Sequence, residues 1–223
     1  MIEIKKDKEP TKLLAYRQTK NASYEEMDSD VKKDLLDKLL KEQGHLCAYC
    51  MKKIPEKKHV PSGISPVTIE HWYPRNPDEK KDIGQGLNYK NMFAVCSGNR
   101  GCGNKEYTTC DAHRGNVPLK INPCNPDTIN TIYYTSSGKI KSTDPVIDKD
   151  LDITLNLNST HCSLPENRRR VLNELIQNIA RTHPKGDISL YCKRRLEAFE
   201  NETDPKTPYS GILIWWLKNH LTH

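Results

Sequence analysis

The chain has 223 residues, of which 35% are hydrophobic, with a mean hydropathy of -0.80 and a formal charge of +6 at pH 7. No segment approaches the roughly 18 apolar residues of a membrane span; the longest apolar run is residues 211–217. The first residues, Met1-Ile-Glu-Ile-Lys-Lys, lack the apolar stretch of a signal peptide, so a cytoplasmic location is expected, and in that reducing compartment the eight cysteines read as metal ligands before disulfides.

Residues 1–25 mix charge with Pro10 and read as an extended arm or edge strand. Val31, Leu35, Leu36, Leu39 and Leu40 then fall at helical spacing, with Asp28 or Ser29 to cap the start and Gly44 to end it. The lysine-rich stretch after Cys50 contains Pro55, Pro61, Gly63 and Pro66 and suits a loop or hairpin. Val67, Thr68 and Ile69 predict a short strand with Glu70 and His71 at its end, and Pro74 and Pro77 stop it. A polar loop to Leu87 follows, then a returning strand at Met92, Phe93, Ala94 and Val95, a glycine-marked loop, and a helix starting near Cys110. Such a hairpin followed by a helix would gather His71, Asn91 and Asp111 or His113 around one cleft.

Residues 117–160 read as a connector with a hairpin around Gly138 and a possible strand at 151–155. Ser163 and Glu166 have capping-box spacing before Val171, Leu172, Leu175, Ile176 and Ile179, which predicts a helix over about 164–182. Further helices are predicted at about 187–201 and 209–221. The expected organisation is an N-terminal arm and helix (1–44), a core (45–120), and a connector with a C-terminal helical region (121–223).

The core holds five of the eight cysteines. Two residues between Cys47 and Cys50 let both sulfurs face one ion; with Cys96 and Cys110 they would make a closed tetrathiolate site, hence a structural Zn²⁺. Cys102 is the rival to Cys110. Cys124, Cys162 and Cys192 stand alone and read as packed thiols. The core also carries eleven Lys and Arg against seven Asp and Glu between residues 45 and 116, a surplus that suits phosphate contact or a solvated hairpin.

Hydrolysis of a phosphodiester needs a base to activate water, positive charge for the developing oxyanions, and a group that orients the base. His71 has the chemistry of the base, and Glu70 can bind a hard divalent cation through oxygen. Asn91 would orient the imidazole or brace the loop facing it.

Cys47-Ala-Tyr-Cys50, Glu70-His71 followed by Pro74, Asn91 five residues before Cys96, and Cys110-Asp111 together resemble the HNH endonucleases. The resemblance implies a ββα-metal core with structural zinc, set in a mainly helical scaffold within an α+β chain, and Mg²⁺- or Mn²⁺-dependent cleavage of nucleic acid, DNA first and RNA second. The chain departs from the pattern where Asp111 stands in place of the last histidine. Either Asp111 completes the catalytic metal site, a carboxylate suiting Mg²⁺ or Mn²⁺, or His113 does. Glu70-His71-Trp-Tyr-Pro74-Arg75, the run Cys110 to Asn116, and Leu155-Asn-Leu-Asn158 ahead of Arg168, Arg169 and Arg170 are more closely similar to the PtuB family, the HNH subunits of Septu and some retron anti-phage systems. That similarity implies a PtuA-like ATPase of the ABC/SMC class as partner. It also offers the three arginines and the apolar last helix, with Trp215 and Trp216, as surfaces for nucleic acid or for that partner; a solvated helix face and internal packing are the alternatives.

Overall fold

The computed structural model of the chain describes residues 1–55, 65–76, 85–183 and 188–221. The lysine-rich stretch at 56–64, the polar loop at 77–84 and residues 184–187, where the helix expected at about 187–201 would begin, lie outside these residues. Among the described residues the chain is a mixed α+β protein with eight helices and two separate two-stranded antiparallel sheets.

The N-terminal segment is not only an arm. Residues 1–10 run without regular structure, docked by the Ile4 N–H on Pro123 O at 2.8 Å, and Pro10 then leads into helix α1 (Thr11–Arg17). Leu13 is its single buried side chain, too little periodicity for the helix to be read from the sequence. Helix α2 (Ser29–Glu42) buries Val31, Leu35 and Leu39. It ends where Gly44 turns left-handed at φ +60°, and a Cβ there would stand 2.7 Å from Thr203 O.

Strands β1 (Val67–His71) and β2 (Met92–Cys96) pair antiparallel, with Val67 opposite Cys96 and His71 opposite Met92. Met92, Phe93, Ala94 and Val95 are all buried, because the end of α2 and helix α3 (Cys110–Arg114) both pack on β2. Gln43 joins α2 to this strand through its amide: the Ala94 N–H donates to Gln43 Oε1 at 2.8 Å and Gln43 Nε2 donates to Ala94 O at 2.7 Å.

After the short helix α4 (Pro126–Ile129), strands β3 (Ile132–Tyr134) and β4 (Ile140–Ser142) form the hairpin around Gly138. Residues 151–155 are not a strand. Helix α5 (Pro145–Lys149) runs directly into a π-helical turn, Asp150–Thr154; Leu151 within it and Leu155 just after it are buried while Ile153 is 62% exposed. Two buried leucines four apart satisfy a helical face as well as strand alternation does, and the neighbouring α5 decides between them.

Helix α6 (Leu164–Thr182) buries Leu164, Leu172, Leu175 and Ile179. Each such side chain contributes about 1.5–3 kcal/mol when fully removed from water. The expected capping box does not form: Ser163 sits at φ 50°, outside the extended region of a capping residue, and its side chain makes no cap hydrogen bond. Arg168 is buried, donating from Nε to Gly138 O at 2.6 Å and from Nη2 to Leu157 O at 2.7 Å, so it ties α6 to the β3–β4 hairpin and is not surface charge. Helices α7 (Ser189–Glu200) and α8 (Ser210–Leu221) pack together, with Ile212, Leu213 and Leu217 buried and Trp215 and Trp216 half-buried. No helix among the described residues is long and apolar enough to cross a membrane.

Candidate metal centre and the adjoining carboxylate site

The chain at Leu46–Lys53 folds into a tight turn that brings the first two cysteines to one side. A bridge pairs Leu46 with Lys53, the Cys47 N–H donates to Lys52 O at 3.0 Å, and the Met51 N–H returns to Cys47 O at 3.0 Å. Cys96 ends β2 and Cys110 begins α3. The turn before Cys110 is held by Gly98 O, which accepts from the Thr109 N–H at 2.9 Å, and by Asn156, whose amide donates to Thr108 O at 2.9 Å.

The ligand atoms of Cys47, Cys50, Cys96 and Cys110 all lie within 4.8 Å of one another. Cys47 and Cys110 Sγ are 3.8 Å apart, Cys50 and Cys96 3.7 Å, and Cys96 and Cys110 3.8 Å. Thiolates about 2.3 Å from a central zinc stand about 3.8 Å from each other in a tetrahedron, whereas a disulfide needs about 2.05 Å. The quartet could therefore hold a metal ion such as zinc. The thiols also show the competition that a cation relieves. Burial opposes ionisation of Cys47, yet hydrogen bonds from Cys110, Cys50 and Cys96 hold it well below the usual thiol range. Hydrogen bonding to Cys47, Cys50 and Cys96 pushes Cys110 well above that range. Cys102, the rival fourth ligand, is exposed and donates to Asn104 O at 3.1 Å.

The carboxylates and His71 lie beside this quartet, joined to it by Tyr49 from inside the Cys47–Cys50 turn. Tyr49 is buried and donates its hydroxyl to Glu70 Oε1 at 3.2 Å. Arg114, 3% exposed, reaches the same carboxylate oxygen as an ion pair. It also donates to Tyr49 Oη at 3.1 Å, to His71 O at 3.2 Å, to Trp72 O at 2.7 Å and to Val117 O at 2.7 Å. Lying four residues after Cys110 on α3, Arg114 shares its face and so points back at the hairpin.

Glu70 is pushed up to about 8 by burial, which outweighs the pull of Arg114, and the nearby Asp111 adds to the rise. A buried carboxylate with a second carboxylate beside it is a donor pair suited to a divalent cation. Arg100 donates to Asp111 Oδ2 at 2.6 Å on the open side. His113, two residues on, faces another way: its Nδ1 lies 3.0 Å from Lys105 O and 3.3 Å from Thr108 Oγ1. The structure thus brings Asp111, and not His113, to Glu70. Among the described residues no second group of three or more His, Cys, Asp or Glu ligand atoms gathers as the cysteines do.

His71 is 5% exposed, with Nε2 3.0 Å from Gly86 O. A carbonyl only accepts, so Nε2 carries the hydrogen and the neutral ring has its lone pair on Nδ1, the form a general base requires. Asn91 does not orient this ring through its amide. Its Oδ1 accepts from the Tyr73 N–H at 2.7 Å, and its Nδ2 donates to Tyr73 O at 2.9 Å and Gln85 O at 3.4 Å. Of the two roles read for Asn91, the structure has the brace: it fixes the loop that leaves His71.

Three further residues complete the site and carry no signal of their own in the sequence reading: Tyr49, Arg114 and Gly86. The first two lie inside the quoted cysteine motifs, and the helical spacing from Cys110 to Arg114 is the signal that could have found the second. Replacing Arg114 with alanine is expected to cost about 3–5 kcal/mol, because it leaves a buried carboxylate and several carbonyls unpaired. A urea midpoint unchanged from the parent protein would overturn that expectation.

Compared with protein-family models the chain matches none, and compared with curated proteins it likewise matches none.

Proposed function

We propose that the chain is an HNH-type endonuclease, a ββα-metal core braced by a structural zinc that hydrolyses phosphodiester bonds of nucleic acid, DNA first. One observation carries the reading: at the end of a β-hairpin and beside the first turn of α3, His71 and the Glu70–Asp111 carboxylate pair lie next to a tetrathiolate cluster. In this reading Glu70 and Asp111 hold Mg²⁺ or Mn²⁺. That cation, when bound, supplies positive charge for the oxyanions that develop at phosphorus and on the leaving oxygen. His71 Nδ1 takes a proton from the water that attacks phosphorus, Gly86 O keeps Nε2 protonated, and Asn91 holds the loop that leaves the histidine.

The motif resemblance extends the proposal to anti-phage defence of the Septu type, with a PtuA-like ABC/SMC-class ATPase as partner and host tRNA as an alternative target. The second reading, a zinc-stabilised module that binds nucleic acid or a partner without cutting, is favoured by the burial of His71 and by the absence of a third clustered oxygen or nitrogen ligand among the described residues. One experiment separates them. Purified protein, alone and with a PtuA-like ATPase, is incubated with duplex DNA, single-stranded DNA and tRNA in Mg²⁺, Mn²⁺ or EDTA. Divalent-dependent cleavage of any of the three is the expected result; binding without cleavage under every condition would favour the second reading.

A further inference from the structure

Strands β3 and β4 pair with Ile132 opposite Ser142 and Tyr134 opposite Ile140. The Thr143 N–H donates to Thr131 O at 3.0 Å and the Thr135 N–H to Lys139 O at 3.0 Å. Those pairs, and the Tyr133–Lys141 pair between them, are thus the hydrogen-bonded ones of an antiparallel ladder. The main-chain groups of Ile132 and Tyr134 point away from β4, and those of Ile140 and Ser142 point away from β3. On the β4 side the chain fills them with side chains. Asn158 accepts from the Ile140 N–H at 2.9 Å and donates to Ile140 O at 3.0 Å, and Asp148 accepts from the Ser142 N–H at 2.9 Å.

The β3 side is left unfilled. Among the described residues the outward N–H and C=O groups of Ile132 and Tyr134 have no hydrogen-bond partner. Tyr134 is only 4% exposed, and buried main-chain groups are almost always paired, so a donor and an acceptor are called for there. The space for them exists. Strand β3 lines a groove of about 970 Å³ whose other walls include Met1, Ile2, Glu3, the end of α7 and helix α8. Four lysines and four glutamates line it, which gives no surplus of positive charge for a polyanion. Ile214 and Trp215 give it a half-buried apolar wall, and the Trp215 ring stands 6.0 Å from that of Tyr134.

We propose that this groove receives an extended segment of another protein, which adds to β3 as a third strand. The segment's main chain supplies the donors and acceptors that Ile132 and Tyr134 lack. Its side chains on the face shared with Ile132 and Tyr134 meet Ile214 and Trp215, so it is apolar at every second position. A second copy of the chain does not fit, because its own β3 is walled in the same way. The inference is independent of the nuclease reading.

The test selects displayed seven-residue peptides on the full chain and remakes the binders with N-methyl groups at alternate amides, in each of the two registers. Methylation in the register that faces β3 removes the donors to Ile132 O and Tyr134 O and is expected to weaken binding by at least about 10-fold, whereas the other register stays within about twofold. In NMR the Ile132 and Tyr134 amide protons should become slow to exchange when peptide binds. Ile132→Pro removes one outward N–H and no ladder bond, a place where a strand edge tolerates proline, so it should keep its melting temperature and bind the peptides about 10-fold more weakly. Should that variant fail to fold, the methylated peptides decide alone. A library that yields no binder, or equal binding of the two methylated registers, would overturn the proposal. So would a dimer of the peptide-free chain that Ile132→Pro dissolves, which would give the edge to a second copy.

Discussion

Replacing Cys110 with serine is expected to cost the core its metal and, with it, the fold. Cys110 is buried, its backbone is turned to φ 56°, and its N–H donates to Leu155 O at 2.9 Å, so it joins three pieces of chain at one point. A serine hydroxyl is a poor zinc ligand and would leave three cysteines crowded without the cation that relieves them. Structural zinc contributes about 10–16 kcal/mol in small zinc-binding peptides, against a whole-domain stability of about 5–15 kcal/mol. Purified Cys110→Ser should contain no zinc and show no cooperative thermal transition, and chelation should do the same to the parent. Cys102→Ser, altering a thiol that donates only to Asn104 O, should keep both metal and transition. Zinc lost from Cys102→Ser and kept by Cys110→Ser would reverse the ligand assignment.

Replacing His71 with alanine is expected to act on chemistry alone. Removal of a general base typically costs about 10²–10⁴-fold in rate. Gly86 O, which faces the imidazole Nε2, can be satisfied by a water when the ring is gone. Divalent-dependent cleavage should fall below detection while zinc content and the melting transition stay near those of the parent. Cleavage by His71→Ala at the parent's rate, in a preparation free of contaminating nuclease, would refute the role of His71. The contrast between the two variants separates the cysteine cluster from the proposed general base: one variant loses structure, the other only turnover.

The sequence made the local parts of this site visible and hid the distant ones. The two-residue spacing of Cys47 and Cys50 and the β-branched run before Glu70 are local patterns with direct physical readings. Cys102 and Cys110 could not be told apart from spacing, because the choice depends on the turn at 97–109: Gly98, at φ 58°, would place a Cβ only 2.1 Å from Thr109 O, and that close approach swings Cys110 and not Cys102 toward the quartet. Between Asp111 and His113 the sequence offers only the preference of a hard cation for a carboxylate, and it is the helix that sets the two on different faces. Arg114 and Gln43 act across 44 and 51 residues of chain, on Glu70 and Ala94 respectively, and no periodicity encodes such partners. Residues 151–155 misled for the opposite reason, since their alternating apolar side chains fit two structures and the neighbouring α5 selects the helical one.

The amide of Gln43 has one more effect. Ala94 faces Ile69 across the hairpin at a pair whose N–H and C=O point outward, away from β1, so β2 would present an open hydrogen-bonding edge there. Gln43 fills both groups with one side chain, and the Ala48 N–H adds a contact to Ala94 O at 3.2 Å. A two-stranded sheet with a bare apolar edge would invite a third strand from another molecule. Here a helix terminus closes that edge, so the hairpin that carries His71 is shielded from strand-to-strand association on the side away from β1.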